Sequence, residues 1–224
     1  MKNQYPTNTP SPANRGFTLI ELLTAISIIS VLGAVAMPAI NSALETARMN
    51  AAMQGARQIG LGLRGYADDS GGLYPGGEND EGESISTANA AFRDLAEYLD
   101  DERVFAVSGS AWGSEAKNGG TYCGSGECHF AYITGQTNTS TSWFPLVVDG
   151  TDGSGTYNRT KGERGGLWKG RKAIVTNIDG SARTVKLKGD DESRYIPRVD
   201  EPKQNALEVS SYMGRGAELL DPEG

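Results

Sequence analysis

Between Leu22 and Leu44 the chain runs for 23 residues without a charge. As helix, at about 1.5 Å of rise per residue, that stretch crosses the roughly 30 Å hydrocarbon layer of a bilayer. The run begins abruptly. Residues 1–16 are polar and rich in Pro and Asn, with basic Lys2 and Arg15, and the apolar character is densest over 17–40. One carboxylate, Glu21, lies inside its start. A bare acid among apolar helical residues costs several kcal/mol in lipid and marks a function or a partner.

The rest of the chain has another character. Beyond residue 65 there are 16 Lys and Arg against 26 Asp and Glu, a balance of −10 within a chain total of −7. That acidity favours a soluble head and argues against general binding to nucleic acid or anionic lipid. The division is therefore a polar leader over 1–16, a long helix over 17–65 and an α+β head over 66–224. The helix comprises an anchor over 17–40 and an amphipathic stalk over 41–65. In the stalk, Ala52, Ala56, Ile59, Leu63 and Tyr66 recur at steps of four and three and share one face. Arg48, Arg57 and Arg64 interleave with Asn50, Gln54 and Gln58. Gly55, Gly60, Gly62 and Gly65 weaken the helix and are expected to end it near residue 65. From 17 to 64 such a helix would be about 72 Å long and would need tertiary or quaternary support.

A basic polar segment before an apolar run also fits a secretory signal peptide, with small residues at Val35-Ala36-Met37 or Leu32-Gly33-Ala34 near a cut. The run is longer than a signal core and carries Glu21, which weighs against that reading. The segment Arg15-Gly16-Phe17-Thr18-Leu19-Ile20-Glu21-Leu22-Leu23 resembles the processing and methylation motif of type IV prepilins and type II secretion pseudopilins. The resemblance implies a type IV pilin-like fold, with a small antiparallel sheet packed on the C-terminal half of the helix. It implies that a prepilin peptidase cuts after Gly16 and methylates Phe17, and that the helix anchors the subunit in the inner membrane with its head in the periplasm. There an assembly platform adds it to other pilin-like subunits. Pro38 falls where many such proteins carry a helix-bending proline. Arg15 holds the leader on the cytoplasmic side. No basic residue lies between Phe17 and Leu44, so Glu21 is left to the amino terminus of Phe17, on its own chain or a neighbour's.

The function implied is a structural, non-enzymatic subunit of a pseudopilus in a type II secretion-like system, with secreted proteins as cargo. The alternative is a major or minor subunit of a surface pilus used in adhesion or DNA uptake. A weaker resemblance extends further, to pseudopilin-like proteins of planctomycetes and verrucomicrobia. It rests on the stalk ending Arg57-Gln58-Ile59-Gly60 and on the segments Tyr132-Ile133-Thr134-Gly135 and Pro145-Leu146-Val147-Val148-Asp149-Gly150, with the loop Gly165-Gly166-Leu167-Trp168 lacking that group's usual His or Asn.

In the head, strand-like runs occupy 130–133, 144–148, 172–177 and 182–187, the last two joined by the turn Ile178-Asp179-Gly180-Ser181. Thr87 or Asn89 can cap a short helix over 90–99. The tail from 189 to 224, broken by Pro197, Pro202 and Pro222, reads as exposed and open to partner contacts, with 204–213 as short helix or edge strand.

Chemistry is sparse. Cys123 and Cys128 are expected to form a local disulfide outside the cytoplasm. With His129 they make an incomplete zinc fragment. Major pseudopilins often bind Ca²⁺, and Asp149, Asp152, Asp190, Asp191 and Glu192 offer oxygens in Gly-rich loops without a known ligand spacing. Lys169, Arg171 and Lys172 beside Trp168 form a small basic patch, the one candidate for nucleic acid. A single His and no nucleophile or phosphate-loop motif leave no catalytic set and no required cofactor.

Overall fold

A computed structural model describes residues 17–77, 85–115, 122–190, 193–214 and 216–223. Helix α1 spans Leu19–Asp69 and belongs to two compact units, Met1–Glu45 and Thr46–Gly224. In the first unit every residue over 17–44 is exposed, and α1 is long and apolar enough to cross a membrane. Its hydroxyls are satisfied locally, as lipid requires. Thr24 donates to the Glu21 carbonyl at 3.0 Å, Ser27 to Leu23 at 2.7 Å and Ser30 to Ile26 at 2.7 Å. Pro38 lies inside the helix.

In the second unit the expected stripe is buried: Met49, Ala52, Ala56, Ile59, Leu63 and Ala67 face the core, with Tyr66 packed beside it. The helix does not end near residue 65. Its glycines occur where neighbours come too close for a side chain. A Cβ at Gly55 would lie 2.7 Å from the Val104 carbonyl oxygen, at Gly60 2.6 Å from Thr176 Cγ2, and at Gly62 2.9 Å from Leu99 Cγ. Tertiary contact therefore outweighs the helix-breaking tendency of Gly. The helix stops at a Schellman-type cap, with Gly71 at φ +67° and the Gly72 amide donating to the Ala67 carbonyl at 2.7 Å.

The sheet holds β1 Phe130–Thr134, β2 Pro145–Asp149, β3 Lys172–Asn177, β4 Ala182–Lys186 and, past two shorter strands, β7 Glu218–Leu220. Its order is β4-β3-β2-β1-β7 and every pairing is antiparallel. The first four strands fall within a residue of the expected runs. β5 Lys188–Gly189 and β6 Arg194–Tyr195 form a separate ribbon. A short helix, α2 Ala88–Arg93, is capped by Thr87 and followed by turns rather than continuing to residue 99, and a single 3₁₀ turn spans Glu102–Phe105.

β1 to β3 are buried almost throughout, on both faces. Phe130, Tyr132, Leu146 and Ile174 join the core with α1 and α2, where Phe92 stacks on Phe105 at 5.2 Å. Ala131, Ile133, Val148, Ala173 and Val175 point to the opposite core, which is closed by Ile196, Ala206, Leu207 and Val209. A sheet apolar on both faces must be covered on both. The C-terminal segment supplies that cover, so the expectation of an exposed tail is corrected. It contributes α3 Val209–Tyr212 and the edge strand β7.

Candidate functional site

The helix start is built by four consecutive residues. Thr18 is the N-cap of α1, and its amide donates to Glu21 Oε2 at 2.9 Å while the Glu21 amide donates to Thr18 Oγ1 at 3.3 Å. The Thr18 hydroxyl adds a bond to Oε2 at 2.8 Å. This is a capping box, two orphan amides satisfied reciprocally. Thr18 thus gives Glu21 hydrogen-bond partners beside the amino terminus expected to meet its charge. The signal is in the sequence, a Thr three residues before a Glu at the head of an apolar run. Phe17 precedes the helix and is exposed. Arg15, Gly16 and the rest of the leader lie outside the described residues.

The head contains a second polar constellation that sequence reasoning misses. His129, just before β1, and Asp149, at the end of β2, come together with Ser110 from the loop that precedes them. The Ser110 hydroxyl lies 2.7 Å from His129 Nδ1, and His129 Nε2 lies 2.9 Å from Asp149 Oδ1. His129 and Asp149 are buried. Superficially this is a nucleophile, base and acid in line. Ser110 Oγ, however, accepts the Trp112 amide at 3.0 Å and the Gly113 amide at 3.3 Å. Both lone pairs are engaged, so the hydroxyl proton goes to Nδ1 and Nε2 carries the imidazole proton toward Asp149. A hydroxyl held this way has no electron pair directed at a substrate. Asp149 Oδ2 accepts the Trp168 indole N–H at 2.9 Å and the Ile174 amide at 2.6 Å. The chain is a fully satisfied buried network that ties the loop to the sheet.

That geometry bears on several candidates. Asp149 is surrounded by N–H donors, and the Asp152 carboxylate accepts the Ser154 and Thr156 amides and hydroxyls. Both acids are committed to donors rather than directed at a cation. Asp190 accepts the Ser193 amide at 2.9 Å, and Asp191 and Glu192 lie outside the described residues. Among the described residues no group of three or more His, Cys, Asp or Glu could hold a metal. The Trp168 ring is buried and its N–H is spent on Asp149, so it offers no stacking face beside Lys169, Arg171 and Lys172.

Cys123 and Cys128 are buried free thiols. Their mutual hydrogen bond, followed by burial, pushes the Cys123 thiol up from its ordinary value. The loop is anchored by Asn89, whose amide donates to the Cys123 carbonyl at 3.2 Å and the Gly124 carbonyl at 2.7 Å. Asn89 Oδ1 in turn accepts the Glu223 amide at 2.7 Å, which fastens the C-terminal segment. Next to it the Asp221 carboxyl is raised by burial, although Thr151 donates to it from both amide and hydroxyl.

Among known families, the prokaryotic N-terminal methylation motif matches residues 11–37. No curated protein and no solved structure matches the chain. The matched segment contains the Gly16-Phe17 step, the capping box and the first part of α1, and such a motif is typical of prepilin-type structural subunits rather than of catalysts.

Proposed function

We propose that this chain is a structural subunit of a pilin-like filament, matured by a prepilin peptidase that cuts after Gly16 and methylates Phe17. The subunit waits in the inner membrane as a single span with its head in the periplasm. An assembly platform then draws it into a pseudopilus of a type II secretion-like system, where it acts on secreted proteins by polymer growth rather than by turnover. One observation carries this reading: the methylation motif over 11–37 takes in the start of a helix whose residues 19–44 are all exposed and mostly apolar. An apolar surface of that extent has to be covered by lipid and then by neighbouring subunits. In the oxidising periplasm Cys123 and Cys128 join as a disulfide, which shapes a short loop and contributes about 2 kcal/mol or less. A surface pilus would use the same anchor.

The test is the amino terminus of the protein extracted from membranes of its own host. Mass spectrometry is expected to find a chain beginning at N-methylated Phe17. A chain beginning at Met1, or at a residue past the anchor such as Met37, would refute the reading.

A further inference from the structure

The solvent side of α1 in the head unit carries a short ridge that the fold does not use. Arg57, Leu61 and Arg64 follow one another at helical steps of four and three, so they share one face. All three are exposed, Leu61 at 54%. No hydrogen bond or ion pair within the described residues engages either guanidinium, and Asp68, the acid that follows on the same face, is met by the Asn138 amide at 3.5 Å. Two arginines without such a partner flank an exposed leucine, and Arg is enriched at protein contacts.

The complementary surface is on the same head. The segment after α2 runs along the flank of the helix, with Leu99 against Gly62 and Val104 against Gly55. It presents Glu97, Asp100 and Glu102. The intervening Asp101 is already held by Arg103 at 2.8 Å. Glu97 and Asp100 are exposed. The basic ridge therefore stands out on a head whose balance is otherwise −10, counted beyond residue 65 from 16 basic and 26 acidic residues.

We infer that the Arg57–Leu61–Arg64 ridge of one subunit docks on the Glu97–Asp100–Glu102 segment of a second copy. The inference rests on the filament reading above and names the head-to-head contact within it. The occupant is chosen by charge: the ridge needs an acidic partner, and the surface that supplies one at high local concentration is the next identical head. Because the two patches differ, the contact is heterologous, and repetition gives an open helical array rather than a closed dimer. A nucleic acid would also seek two arginines, but it would meet the acidic remainder of the head.

The experiment uses the full chain expressed in its host, with Leu61→Cys and Asp100→Cys carried on separate copies. Oxidation of intact filaments should give a cross-linked pair, and neither variant alone should give one. The double reversal Arg57→Glu/Arg64→Glu should lower cross-linking and sedimentable polymer by roughly tenfold or more, because like charges then face each other. Glu97→Lys/Asp100→Lys should do the same, and the two reversals on separate copies should restore the contact. Each reversed chain should keep its melting temperature, since no hydrogen bond or ion pair among the described residues engages these side chains. Polymer of Phe17-initiated chains that forms regardless of the reversals, or without the cross-link, overturns this contact while leaving the filament reading intact. A wild-type chain that is never processed or polymerised removes both. Capture of heparin or anionic vesicles by the ridge, with no cross-link, assigns it to another ligand and likewise overturns the inference.

Discussion

Substituting alanine for Gly60 sets a local preference against a tertiary one, and the structure says which wins. Within a helix, Gly→Ala stabilises by about 1 kcal/mol. Here the new Cβ would lie 2.6 Å from Thr176 Cγ2, a branched, fully buried strand side chain that cannot swing away. Overpacking of this kind costs about 1–3 kcal/mol, so the net result should be a loss of about 1 kcal/mol. For a chain of this size that lowers the melting temperature by about 2–4 °C. The contrast becomes sharper with Thr176→Ala, which deletes that methyl together with a hydroxyl that has no hydrogen-bond partner among the described residues. In the double variant the methyl added at position 60 enters the vacated space, and the nearest remaining atom of residue 176, its Cβ, is 3.8 Å away. The helix preference should then emerge, with a favourable coupling of about 1–3 kcal/mol between the substitutions. Denaturation of the detergent-solubilised full chain and its three variants measures the cycle. Additivity within about 0.5 kcal/mol, or a stabilised Gly60→Ala single variant, would refute the close-approach account of the stalk glycines.

Two further perturbations probe the polar network and its neighbouring loop. His129→Ala removes one of the donors to the buried Asp149 carboxylate and should destabilise the head by about 3 kcal/mol; Ser110 in the native protein should stay unlabelled by a fluorophosphonate, and labelling there would reveal a nucleophile that the hydrogen bonding forbids. The Asp152 carboxyl is held below its ordinary range, burial opposing and the donors of Ser154 and Thr156 prevailing. The stability it adds is present above the ordinary carboxylate range and lost as pH falls through its lowered pKa, so Asp152→Asn should flatten the acid limb of the melting-temperature profile, and an unchanged limb would contradict the assignment.

What the sequence makes legible follows from how local each determinant is. The strands over 130–149 and 172–186 announce themselves through branched and aromatic residues, and Asp179-Gly180 marks their hairpin, because propensity and turn chemistry act within a few residues. The stalk stripe is equally plain, since helical period alone puts Ala52, Ala56, Ile59 and Leu63 together. Gly55, Gly60 and Gly62 mislead because their purpose lies in Val104, Thr176 and Leu99, remote in the chain. The same distance hides β7, whose three residues become a strand only beside β1. Asp149 reads as a loop acid, yet its donors come from His129, Trp168 and Ile174, and no spacing rule joins these to Ser110. Reading one face of each strand as apolar would leave the tail free; noticing that both Phe130 and Ala131, both Tyr132 and Ile133, require cover would have assigned it a role in the core.

The capping box also changes how Glu21 works. If its carboxylate existed only to attract a processed amino terminus, the unprocessed chain would hold an unsatisfied charge at the mouth of its anchor. Instead Thr18 engages it from the start, and both side-chain-directed bonds end on Oε2. A carboxylate has acceptor sites on both oxygens, so Oε1 can still meet a cation while Oε2 closes the helix. The proposed cut after Gly16 would leave Thr18 and its amide untouched, so the cap would survive it. On the proposed reading the helix is set before the peptidase acts, with Phe17 just outside it. On that reading charge recognition and helix initiation would reside in one side chain but on different atoms, and neither would have to be surrendered for the other.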